Sequence, residues 1–182
     1  MIKSRQEADE ANDNAFRLES AGKHVDAIDL WRQVIEFDAA YDHGLAFEKL
    51  GNNLEAIRDV EGAAVAYRSA LALSPFDLQR LRNFAIFLCE SGNTREAFEM
   101  LLRAAAVERS DEDKISADTG TRLASLSTQL ELRDGEMAAM LRAEERAVRK
   151  YDEENKSRTT SDGLLRGIID ALKERYGKGT DY

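Results

Sequence analysis

The feature that most restricts this chain is a pattern of small and large residues that returns at 34-residue intervals. In its best copy, residues 44–77, Phe47, Leu50 and Gly51 stand at spacings of three and one. Ala63 follows Gly51 by twelve residues, and Tyr67, Ala70 and Pro75 follow in turn at four, three and five. Helical periodicity puts Phe47, Leu50, Gly51 and Leu54 on one face of a first helix, and Ala63, Tyr67 and Ala70 on one face of a second. Gly51 and Ala63 then mark the closest approach of the two helices, because a larger side chain there pushes them apart. Pro75 cannot continue a helix and so ends the second one.

A shift of 34 residues repeats the pattern, with Phe84-Ala85 for Leu50-Gly51, Leu88 for Leu54, and Ala97, Leu101 and Ala104 for Ala63, Tyr67 and Ala70. Arg109 stands in the proline position. Ser91-Gly92-Asn93-Thr94 is the expected turn, with Gly92 ending one helix and Thr94 capping the next. Upstream the pattern recurs at an offset of 36, through Asn14-Ala15, Leu18, a turn at Ser20–Lys23, then Ala27, Trp31, Val34 and Ala39. The two extra residues fall in the connection around Asp42-His43. One proline in 182 residues and 7% aromatics agree with helix and argue against a turn-rich β sandwich.

On these residues the chain resembles the tetratricopeptide repeat family, helix-turn-helix units of 34 residues, over about residues 8–111. The resemblance implies an all-α fold, a tetratricopeptide-like right-handed α-solenoid of antiparallel helix pairs closed by a C-terminal capping helix. The expected organisation is one helical repeat domain over 1–154. Its repeats are at about 8–41, 44–77 and 78–111, followed by a degenerate pair at 112–154. In that fourth pair Asp111-Glu112-Asp113 reads as the N-cap region, Leu123, Leu126 and Leu130 as the first helix face, and Arg133-Asp134-Gly135 as the turn. Ser127-Thr128 replaces the small-residue pair. Residues 155–162 read as a polar loop, and 163–182 as the capping helix and tail, with Leu164, Leu165, Ile168, Ile169 and Leu172 on one face.

Little in the sequence points to chemistry. A net charge of −9 argues against nucleic acid, whose grip depends on neutralised phosphates. No apolar run approaches the ~18 residues of a membrane span, and the N-terminus turns acidic at once, so a cytoplasmic protein is expected. The single cysteine, Cys89, excludes an internal disulfide and reads as a buried structural thiol. His24 and His43 read as solvent-facing turn residues, with no companions at metal-ligand spacing. Asp111–Arg122 lacks the central glycine and final glutamate of a calcium loop. Gly177-Lys178-Gly179-Thr180 lacks the strand and helix that frame a phosphate loop. No enzyme activity, cofactor or metal is expected.

The resemblance also implies a concave groove lined by the first helix of each pair, which takes an extended peptide or a helix from a partner. The residues facing away from the small-residue seam are Asn12, Asp13 and Phe16; Leu45, Glu48, Lys49 and Asn52; and Gln79, Arg82, Asn83 and Ile86. Asn52 and Asn83 suit a peptide backbone, Lys49 and Arg82 a carboxylate, and Phe16, Leu45 and Ile86 an apolar side chain. The carboxylate clamp of chaperone-binding relatives is not matched, because the first unit offers no Lys and Gln79 stands where the third would have one. The expected function is therefore a non-enzymatic protein-protein interaction module. A dedicated chaperone for a secreted protein, and a regulatory or structural homo-oligomer built through the C-terminal helix, stand as alternatives.

Overall fold

The computed structural model describes residues 2–112 and 114–157, and among them it is all-helical. The helices are α1 (Arg5–Ser20), α2 (His24–Phe37), α3 (Leu45–Ala56), α4 (Val60–Leu73), α5 (Leu78–Glu90), α6 (Thr94–Glu112), α7 (Ala117–Gln129) and α8 (Asp134–Ser157), with a short 3-10 segment at Tyr41–Gly44. The residues expected to form the capping helix and tail, 163–182, lie outside the described residues. The described chain divides after Pro75 into two compact units.

One turn chemistry joins each helix pair. At the end of α1 the Lys23 N–H donates to the Leu18 carbonyl and the Gly22 N–H to Glu19. The same two bonds recur as Asp59 to Leu54 with Arg58 to Glu55, Asn93 to Leu88 with Gly92 to Cys89, and Leu132 to Ser127 with Glu131 to Thr128. This is the Schellman closure, which needs a left-handed residue at its second-to-last position. Gly22 (φ +71°) and Gly92 (φ +80°) take it without strain, whereas Arg58 (φ +65°) and Glu131 (φ +55°) carry a Cβ into it. Arg58→Gly is therefore expected to stabilise the first unit by about 1 kcal/mol, seen as a higher urea midpoint. A lower midpoint would contradict the turn assignment.

In the first unit α1 packs on α2, α2 on α3 and α3 on α4. Gly51 stands at a close approach of α3 and α4, as expected, and the group it meets is the Tyr67 ring. Ala15 and Trp31 are both fully buried. A Cβ on Gly51 would stand 2.9 Å from Tyr67 Cε1 and 3.0 Å from Cδ1. The two residues that lengthen the first repeat, Asp42 and His43, lie where the offset puts them, in the 3-10 segment at φ +44° and +53°. Gly44 follows at φ +97°, with Ala70 O and Leu73 Cδ1 both 3.2 Å from where a Cβ would be. The extra length is absorbed in a left-handed corner that closes onto α4.

In the second unit α5 packs on α6, and α6 carries both α7 and α8. Here the structure departs from the expected fourth pair, because α7 and α8 barely touch among the described residues. Both seat on α6, and α8 does so through fully buried Val148, the Arg103–Glu144 pair at 3.3 Å and the Arg109–Glu145 pair at 3.0 Å. At Ser127-Thr128, where the sequence pattern wants its small residue, α7 carries neither glycine nor alanine, and its Gly120 and Ala124 are not buried.

Three boundaries also move. Helix α6 continues through Asp111 and Glu112, so the cap of α7 is Ser116, whose Oγ accepts from the Thr119 N–H at 3.3 Å. Asn93 rather than Thr94 caps α6, as Asn93 Oδ1 accepts from the Glu96 N–H at 3.4 Å and its amide donates to the Glu96 carboxylate at 2.7 Å. Helix α8 extends to Ser157, three residues into the expected loop. A polar run with no Gly or Pro does not break a helix, and the Lys150–Glu154 pair at 3.9 Å lies along it.

Candidate functional site

In the first unit α1 is joined to α3, and to the 3-10 segment before it, by contacts at nearly one repeat length. The Tyr41 hydroxyl donates to Asp9 at 2.8 Å, Lys49 Nζ sits 4.9 Å above the Phe16 ring, and Asn53 Nδ2 donates to Glu19 at 3.3 Å. These pairs are 32, 33 and 34 residues apart, and they advance together along both helices, so α1 and α3 run parallel in register. Leu45 lies one turn before Lys49, and Asn12 one turn before Phe16, at the same offset.

The face is half apolar and half charged. Phe16 packs edge-on against Trp31 (5.3 Å between centroids) and keeps its other side half-exposed under Lys49. Lys49 Nζ also pairs with Glu19 at 3.6 Å. Leu45 is half-exposed. Asn12 is half-exposed, yet its Oδ1 is buried and has no hydrogen-bond partner. Behind this face lies a polar layer. Asn53 is fully buried. Its amide donates to the Lys49 carbonyl at 2.8 Å, and its Oδ1 faces His24 Nδ1 at 2.9 Å. The Tyr67 hydroxyl donates to Glu55 at 2.6 Å and lies 2.7 Å from Asn52 Oδ1. Burial, then the hydrogen bond to Glu55 and its charge, push the phenol well above its ordinary range. Tyr41 is pushed up to about 12 by burial and by Asp9.

In the second unit α5 carries the remaining candidates. Ile86 is 37% exposed, and Gln79 donates to Asn83 at 2.8 Å. Arg82 turns inward and bonds Glu108, with Ser116 Oγ at 3.1 Å. Glu108 is buried at 5% exposure and is the hub of a cluster. It accepts from the Ser116 N–H at 2.8 Å, Ser116 Oγ at 3.0 Å and Thr119 Oγ1 at 2.7 Å. Burial works to raise this carboxyl, but the donors outweigh it and hold its pKa below the usual value.

Four of the expected ligand groups have partners within the chain. Lys49 and Arg82 already face carboxylates, Asn52 meets Tyr67, and Asn83 receives Gln79. Lys49 finds its partner one repeat away on α1, Arg82 and Asn52 find theirs on the second helix of their own pair, and Asn83 meets Gln79 within α5. The turn reading of His24 is also corrected, since the ring is half-buried against Asn53. The sequence reading missed Asn53 and Glu108. Asn53 was accessible to it, because it lies three residues after Leu50 on the buried face of α3. Cys89 is half-buried, and burial raises its thiol pKa despite the nearby Arg122.

Among the described residues no three His, Cys, Asp or Glu side chains gather to hold a metal ion, and no helix is long and apolar enough to cross a membrane. No protein-family model matches the chain, and no curated protein matches it in sequence. In fold it is similar to the type III secretion translocator chaperone SycD of Yersinia enterocolitica, with a TM-score of 0.59 and 18% identity. The match covers 72% of this chain and 90% of that one. At this identity the likeness bears on the fold.

Proposed function

We propose that this chain is a non-enzymatic, tetratricopeptide-like binding module that holds a peptide or helix of a partner protein along the face shared by α1 and α3. The observation that carries the reading is the composition of that face. Phe16 and Leu45 offer apolar surface beside the Lys49–Glu19 pair, and Asn12 Oδ1 is a buried acceptor with no donor. Residues 2–75 hold fourteen acidic and eight basic side chains, so a segment mixing apolar with basic residues suits the surface.

A second reading, a dedicated chaperone for a secreted protein, is favoured by the fold likeness to SycD. Both readings share the same face. They separate on whether the partner is a single secreted protein kept from aggregating or a folded complex component.

Leu45→Asp tests the face directly. An acid in the first turn of α3 suits the helix dipole, so the variant should fold. Losing one buried leucine contact should reduce partner recovery in affinity capture by about tenfold or more. Ile57→Asp, at an exposed apolar residue of the α3–α4 turn, should leave recovery unchanged. Equal recovery with Leu45→Asp would overturn the site.

A further inference from the structure

The seam between α2 and α3 is incompletely filled. A cleft of about 150 Å³ opens there, lined by Arg32, Ile35 and Glu36 of α2 and by Phe47 and Leu50 of α3. Glu36 also borders a second hollow of about 240 Å³, with Ile2, Gln33 and Phe37. Phe37 is 36% exposed and Phe47 half-exposed. One repeat later, at the position equivalent to Phe47, Leu81 is fully buried. The open seam follows the lengthened first repeat, whose left-handed corner at Asp42–Gly44 leads directly into α3.

We infer that this cleft is the intramolecular seat of the chain's own segment 163–176. Twenty-five residues, 158–182, follow the described helices. Within them Leu164, Leu165, Ile168, Ile169 and Leu172 recur at spacings of three and four, the pattern of an apolar face that needs a partner. The charges match as well. Residues 163–178 hold four basic side chains (Arg166, Lys173, Arg175, Lys178) against two acidic ones, whereas residues 2–75 are net acidic by six. Glu36 and Arg32 bring one acidic and one basic side chain to the cleft lining.

The test uses the full chain in a Cys89→Ser background. Glu36→Cys with Lys173→Cys keeps both the cleft floor and the apolar stripe, and a short bis-maleimide reports their proximity. At dilute protein, the intramolecular product should exceed that of the pairs Val25→Cys/Lys173→Cys and Glu48→Cys/Lys173→Cys by about tenfold, given the effective concentration of a tethered contact. Adding Ile168→Asp and Ile169→Asp should abolish the excess. The same two substitutions alone should speed amide exchange across residues 32–50 by about tenfold. Crosslinking equal to the controls, linking at position 48 instead, linking only between chains, or unchanged exchange would each overturn the proposal. Linking between chains would identify a second copy as the occupant.

Discussion

Replacing Gly51 with leucine is expected to destabilise the first unit by about 3 kcal/mol, the upper range for forcing bulk into a packed seam. The first added atom already stands 2.9 Å from Tyr67 Cε1 and 3.2 Å from Cγ. The ring has little freedom to retreat. It is 4% exposed, and its hydroxyl is tied to Glu55 and Asn52. Moving it also breaks a hydrogen bond to a carboxylate inside a low-dielectric layer. The helix-propensity gain from losing a mid-helix glycine, about 1 kcal/mol, offsets only part of this. Urea unfolding followed by circular dichroism measures the effect. Combining Gly51→Leu with Tyr67→Ala should recover part of the loss, because the leucine then fills the space the ring vacates, and the two changes should couple strongly. A cost for Gly51→Leu below about 1 kcal/mol, or strict additivity in the double variant, would show that the seam is not the close contact described.

Glu108→Ala should cost the second unit a comparable amount, about 3 kcal/mol, the low end for removing one partner of a buried charged cluster. It leaves the Ser116 N–H, the fully buried Thr119 hydroxyl and the Arg82 guanidinium without their acceptor. Arg82 is 30% exposed and recovers part of its hydration, which sets the estimate at that lower end. The cluster ties α5, α6 and the cap of α7 together, so α7 should lose amide protection first. Acid acts on the same group. The folded-state pKa of Glu108 is depressed, so its contribution is complete above the unfolded value of about 4.3. That contribution is lost as pH falls through the folded value. Stability of the second unit should therefore decline below about pH 4, and Glu108→Gln should flatten that decline. An unchanged acid profile in the glutamine variant would remove Glu108 from the explanation.

The helical pairs were legible because one physical constraint, close approach of two helices, leaves a mark at fixed spacing. Gly51, Ala63 and Tyr67 carry that mark, and the structure puts glycine against the ring. The two-residue insertion was equally visible, and Asp42 and His43 take it up in left-handed backbone. The Arg58 and Glu131 turns were hidden because a Schellman closure usually announces itself with glycine and here does without. The seating of both α7 and α8 on α6 was hidden, because that contact is set in three dimensions and leaves no mark at fixed spacing. The candidate face was half legible. Its helices came from the family resemblance, and Phe16 and Leu45 entered as residues facing away from the small-residue seam. The inward commitment of Lys49 and Arg82 was not legible, because their partners Glu19 and Glu108 are set by three-dimensional register between helices.

The central claim is that a partner segment lies along the α1–α3 face, and site-specific photocrosslinking tests it most directly. Benzoylphenylalanine placed at Leu45 in the full chain, expressed in cells of the source organism, should yield one dominant protein adduct on irradiation. The same probe at Val25 or Ile57, also exposed, should not. Adducts of equal yield at all three positions, or an adduct confined to Val25 or Ile57, would contradict the account.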